Sequence, residues 1–132
     1  MIAITETYTD WNGMQRTEEF RFHFSQAELM EMEMSTEGGF SARVNRIINA
    51  NSQTELFQIM KTFVLDAFGV KSEDGRRFMK DEEIRRGFQE CPAYSKIFMR
   101  LATNSDEAAK FINGVTPEDM PKPMAAPAPA AT

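Results

Sequence analysis

Ala67–Val115 reads AFGVKSEDGRRFMKDEEIRRGFQECPAYSKIFMRLATNSDEAAKFINGV, and its punctuation organises the whole chain. Ser72-Glu73-Asp74-Gly75 is a turn with glycine in the left-handed position, which predicts a short hairpin between Val70 and Phe78. Asp81 has the character of a helix cap, and the helix after it buries Ile84 and Phe88. Cys91-Pro92 ends that helix and starts another, because proline at the first position loses an N–H that no helical partner would use. Tyr94, Ile97, Phe98 and Leu101 recur at helical spacing along the buried side of this second helix. Asn104 or Ser105 caps a third, which carries Ala108, Phe111 and Ile112 and stops at Gly114.

Upstream, Ser52 with Glu55 starts the longest helix. Leu56, Ile59, Met60, Phe63, Val64, Ala67 and Phe68 recur at spacings of three and four, and Phe57 widens the stripe. So broad an apolar arc predicts a central helix touched on several sides, with Gly69 as a left-handed stop. Before it, Ser25 and Glu28 form a capping box that opens a helix at Gln26. Met30, Met32 and Met34 alternate as a strand would, but the cap and the helix formers Ala27, Glu28 and Leu29 favour helix. Gly38-Gly39 ends or interrupts it, and a further helix spans Ser41 to Ala50 with Val44, Ile47 and Ile48 on one side.

The first 24 residues read as a β-hairpin, with Ile2, Ile4 and Tyr8 alternating before Asn12-Gly13 and Phe20, Phe22 and Phe24 after it. A two-residue loop would set Ile4 opposite Arg21 and split the apolar residues between faces. A three-residue loop from Asp10, with Gly13 left-handed, pairs Ile4 with Phe20 and Ile2 with Phe22 on one face. At about 1.5–3 kcal/mol for each large side chain buried, the second register is strongly preferred. A hairpin with one apolar face must lie against helices or a partner, and its free edges are a second, less favoured docking rail.

The fold class expected is therefore mainly α within α+β. It comprises a small helical domain of five to six short helices over 25–115, the hairpin over 1–24, and a Pro/Ala-rich tail over 116–132. That tail holds five of the six prolines and no aromatic residue, a composition expected to stay disordered. The chain has 132 residues, 42% hydrophobic and 27% charged, which suits one soluble domain. No apolar run reaches membrane-spanning length, and MIAITETYTD has no basic start followed by an apolar stretch, so neither a membrane nor a secretory signal is expected. The single Cys91 cannot form an internal disulfide.

Chemistry finds little footing. His23 falls on the strand face opposite the phenylalanines and reads as solvent-facing. Cys91 lacks a second histidine to form its thiolate and reads as a cap or core residue. No Gly-Lys-Ser/Thr follows the glycines, no Cys/His cluster suits zinc, and Ser-Glu-Asp-Gly lacks the later ligands a calcium loop needs. Catalytic residues, metal and cofactor are all expected to be absent. Net charge −5 disfavours nucleic acid, and the basic cluster Lys71, Arg76, Arg77, Lys80, Arg85 and Arg86 is nearly cancelled by Glu73, Asp74 and Asp81 to Glu83, reading as a solvated face.

Several features of the opening stretch resemble the tail assembly chaperones of long-tailed bacteriophages: Gly69-Val70-Lys71-Ser72-Glu73-Asp74-Gly75 with Phe78, Ala93-Tyr94-Ser95 with Phe98, and Phe111-Ile112-Asn113-Gly114-Val115. They occur in order, and Cys91 departs from the small polar cap usual there. The resemblance implies no enzyme, but a chaperone that coats the long hydrophobic tape measure protein in the host cytoplasm until tail tube subunits polymerise. It further implies absence from the mature virion, and a tail tube partner recruited through a frameshifted longer form to which the Pro/Ala tail would be the linker. The alternative is a structural tail-completion or head–tail connector protein, and a third is a small regulator that binds a host protein.

Ten methionines are many for this length. Core filling explains them, and so does an adaptable surface, since thioethers repack around varied apolar partners. For a client of the kind the resemblance implies, the candidate contacts are Leu29, Met30, Met32 and Met34, with Met60 and Phe63 on exposed parts of the central helix.

Overall fold

Asp10 sets the first register. The computed structural model describes residues 1–50 and 52–117, except for the side chain of Ile48. Strands β1 (Ile2–Thr9) and β2 (Gln15–Phe22) pair with Ile2 opposite Phe22 and Ile4 opposite Phe20, as the three-residue loop requires. Asp10 N–H donates to the Met14 carbonyl at 2.8 Å, and Gly13 N–H to the Asp10 carbonyl at 3.0 Å. The Asp10 carboxylate accepts from the N–H groups of Asn12 and Met14, each at 2.9 Å, and from Arg16 Nε at 2.7 Å. Gly13 lies at φ 82°, where a Cβ would be strained.

The second hairpin repeats this device with one residue more. Strand β3 (Phe68–Lys71) returns as β4 (Phe78–Met79), with Val70 opposite Met79. Gly75 N–H closes on the Ser72 carbonyl at 3.0 Å, while Ser72 N–H reaches the Arg77 carbonyl at 2.8 Å. Arg21 pairs with Gly69 and Phe22 with Phe68, so the two hairpins fuse into one antiparallel sheet of order β1-β2-β3-β4. The expectation of a mainly helical domain with an N-terminal hairpin holds in part: among the described residues six helices pack on a four-stranded sheet, and the strand content is sizeable.

Gly69 stands where the central helix joins that sheet. It is not left-handed; the central helix ends at Ala67 and runs directly into extended Phe68. Glycine is needed because the Phe78 ring lies on it, and an added Cβ would come within 2.6 Å of Phe78 Cε2. Gly114 lies under Ile2, whose Cδ1 would be 3.0 Å from an added Cβ, and is likewise not left-handed.

The helices with an expected cap start there, and the helix expected from Ser41 starts one residue earlier. They are α1 (Gln26–Ser35), α2 (Phe40–Ala50), α3 (Gln53–Ala67), α4 (Glu82–Gln89), α5 (Pro92–Ala102) and α6 (Ser105–Gly114). The side chains of Ser25, Ser52, Asp81 and Asn104 each accept from a first-turn N–H, which settles the last cap on Asn104. Cys91 is an N-cap whose side chain makes no capping bond and lies half-buried against the core. Beyond β2 the chain stays extended, and it satisfies two helix ends: His23 N–H donates to the Ala67 carbonyl at 2.9 Å, and Phe24 N–H to the Val115 carbonyl at 3.0 Å.

The core forms where α3 meets α2, α4, α5 and α6 beneath the sheet. Phe22 packs edge-on against Phe88 and Phe111 with centroids at 5.7 and 5.2 Å, Phe24 lies 4.9 Å from Phe63, and Phe68 stacks on Phe88 at 4.2 Å. The tail prediction lies outside the described residues from 118 onward. Thr116, which that prediction included, is buried, and its hydroxyl donates to the Ile112 carbonyl at 2.9 Å.

Candidate binding surface

Helix α1 is anchored at its ends rather than along its length. Its capping box is complete: Ser25 N–H donates to Glu28 Oε1 at 2.8 Å, and Glu28 N–H to Ser25 Oγ at 3.1 Å. Past the Gly38-Gly39 turn, Glu33 Oε1 accepts from the N–H and the hydroxyl of Ser41, both at 3.0 Å, tying α1 to the start of α2. Between these ties no residue of α1 is buried. A two-residue step on a helix rotates about 200°, so the three methionines do not share a face. Met32 turns inward with Leu29, both half-buried against the core, while Met30 and Met34 point out, 47% and 78% exposed.

The six candidate positions therefore separate. Leu29, Met30, Met32 and Met34 belong to one element and are at least partly accessible. Met60 and Phe63 are corrected to core residues, 0% and 1% exposed, because α3 is covered on every side that carries its stripe. Among the described residues the remaining exposed large apolar side chains scatter: Met1 before β1, Trp11 and Met14 at the tip of the first hairpin, Val70 on β3 and Met99 on α5. Trp11 Nε1 donates to the Glu90 carbonyl at 3.0 Å, which ties that tip to the end of α4.

Next to α1 lies a groove of about 510 Å³, walled by α1 on one side and by Lys80–Arg85 on the other. Phe24, Met32, Leu65 and Phe68 give it an apolar floor. Glu28, Glu31, Met32 and Ser35 line its α1 wall at the spacing of one helical face. Lys80, expected among solvated charges, is instead a half-buried tie. Its Nζ donates to the His23 carbonyl at 2.7 Å and to Glu28 Oε2 at 2.9 Å, and sits 4.6 Å from the centre of the Phe24 ring. Arg85 likewise pairs with Asp66. Burial pushes the Glu28 carboxyl up, but the Ser25 N–H and the Lys80 ammonium outweigh it and leave the group below its ordinary range. No sequence signal marks Lys80, since its partners lie 52 and 57 positions away.

His23 also departs from expectation. It lies past the end of β2, half-buried, with its ring edge-on to Phe78 at 6.3 Å and Nδ1 enclosed without a hydrogen bond. Burial lowers its pKa, the charges of the N-terminus and Lys80 lower it further, and Glu28 opposes them. Tyr8 donates to Glu18 Oε1, and that bond, burial and the neighbouring Cys91 all raise the Tyr8 pKa. At the edge of the sheet, Lys96 Nζ donates to the Thr7 carbonyl at 2.8 Å and Arg100 pairs with Glu6 at 3.1 Å, so α5 reaches over part of β1.

Among the described residues no group of three or more His, Cys, Asp or Glu could hold a metal ion, and no helix is long and apolar enough to cross a membrane. What the surface offers is an apolar floor, flexible thioethers and carboxylates. A family model described as phage tail assembly chaperone matches residues 1–131. Neither a curated protein nor a solved structure matches the chain.

Proposed function

Because the chain belongs to the phage tail assembly chaperone family, we propose that it binds the tape measure protein in the host cytoplasm and keeps it soluble until the tail tube polymerises. The observation that carries this reading is α1: a helix with no buried residue, two outward methionines and an apolar-floored groove at its side. A client with long apolar stripes presents many slightly different contacts, and methionine side chains repack at low cost to meet them. A weakly seated helix can also adjust its position, since few contacts resist its movement. Residues 118–132 would link this domain to the tube-recruiting part of a longer form, and neither form would remain in the virion.

Co-expression tests the proposal. The tape measure protein should stay in the soluble fraction with this chain present and precipitate without it. Met30→Ser with Met34→Ser should weaken that protection while leaving the fold intact, because both side chains already face water. Equal solubility with and without the chain would defeat the reading. A stoichiometric band in purified particles would instead favour a structural tail component.

A further inference from the structure

The groove beside α1 carries a charge pattern that narrows what can lie in it. Its two cations are already committed, Lys80 to Glu28 and Arg85 to Asp66. Glu31 from α1 and Glu82 from α4 remain as exposed carboxylates on opposite walls, with the capping carboxylate of Asp81 beside Glu82. Between them the floor is apolar, so the groove is greasy at its base and negative along both rims. The geometry points to one occupant: an amphipathic helix of the client whose apolar stripe is flanked on both sides by Lys or Arg. Its stripe would cover Met32, Phe68 and the floor, and its cations would meet Glu31 on one rim and Glu82 on the other. An acid-flanked helix of equal apolarity would be rejected by the same carboxylates, so the rims select among greasy helices. This rests on the reading of the chain as a holder of apolar polypeptide and adds which segments it grips first.

The test uses the full chain and two fluorescein-labelled synthetic peptides of about 18 residues, five helical turns. They share one Leu/Ala stripe and differ only in being flanked by Lys or by Glu, and binding is read by anisotropy. The Lys-flanked peptide should bind about tenfold more tightly at low salt, from two attractive rim pairs in place of two repulsive ones. The preference should shrink towards parity at about 1 M salt, where charges are screened over ~3 Å. Glu31→Lys with Glu82→Lys should reverse it, whereas Glu73→Lys, a single charge reversal outside the groove, should not. Equal binding of the two peptides, no binding of either, or an equal effect of Glu73→Lys overturns the inference. So does a chain that sediments as a dimer and becomes monomeric on Glu31→Lys with Glu82→Lys, since the occupant is then a second copy. Co-expression with the tape measure protein reads the broader proposal separately, and protection there without a charge preference here would leave that proposal standing and this one refuted.

Discussion

Replacing Lys80 with methionine isolates one of the ties that hold α1 to the rest of the molecule. The long stem still covers Phe24 and Phe78, but the ammonium is lost, and with it the bonds to the His23 carbonyl at 2.7 Å and Glu28 Oε2 at 2.9 Å. A hydrogen bond to a charged group contributes about 1.5–3 kcal/mol when sheltered. The Lys80 side chain is 20% exposed and that of Glu28 40%, so the Glu28 bond belongs nearer the value of a surface pair. The loss then totals about 2 kcal/mol, which lowers Tm by roughly 8 °C for a domain of this size. Urea unfolding of wild type, Lys80→Met, Glu28→Gln and the double variant gives the coupling directly, with about 1 kcal/mol expected. Hydrogen exchange should localise the damage, with α1 amides exchanging faster and the β1–β2 ladder unchanged. A coupling below about 0.3 kcal/mol, or exchange unchanged in α1, would show that Lys80 does not seat this helix.

Two further outcomes follow from single residues. Gly69→Ala sets a Cβ within 2.6 Å of the Phe78 ring and should cost about 1–3 kcal/mol in urea unfolding, partly regained with Phe78→Leu; an unchanged midpoint would refute the close-approach account. His23 has a folded-state pKa below its ordinary 6.5, so its stabilising effect is complete above that pH and fades as pH falls through the folded value. Thermal melts across this range should therefore slope downward on acidification more in wild type than in His23→Gln, and parallel curves would exclude the histidine as a source.

Much of this molecule was legible because its signals are short. The turn at Asp10–Gly13 placed Ile2 opposite Phe22, and the caps Ser25, Ser52 and Asp81 marked three helix starts, since each rests on bonds spanning only a few residues. Those elements were determined by the amino-acid sequence alone. Tertiary structure decided what depends on distant chain. The broad stripe of α3 does not say which of its sides stays open, and every neighbour that buries Met60 and Phe63 was needed to remove them from the surface. The pairing of Phe22 with Phe68 spans 46 positions and turned two hairpins into one sheet. Gly69 looked like a helix stop because that is the commonest local use of glycine, yet the Phe78 ring above it is what excludes a side chain. Lys80 became a half-buried tie only when the end of β2 and the start of α1 met at its ammonium. The physical reason is one of range: caps, turns and periodicity are free-energy differences within a few residues, whereas burial and charge pairing are settled by which surfaces the whole chain brings together.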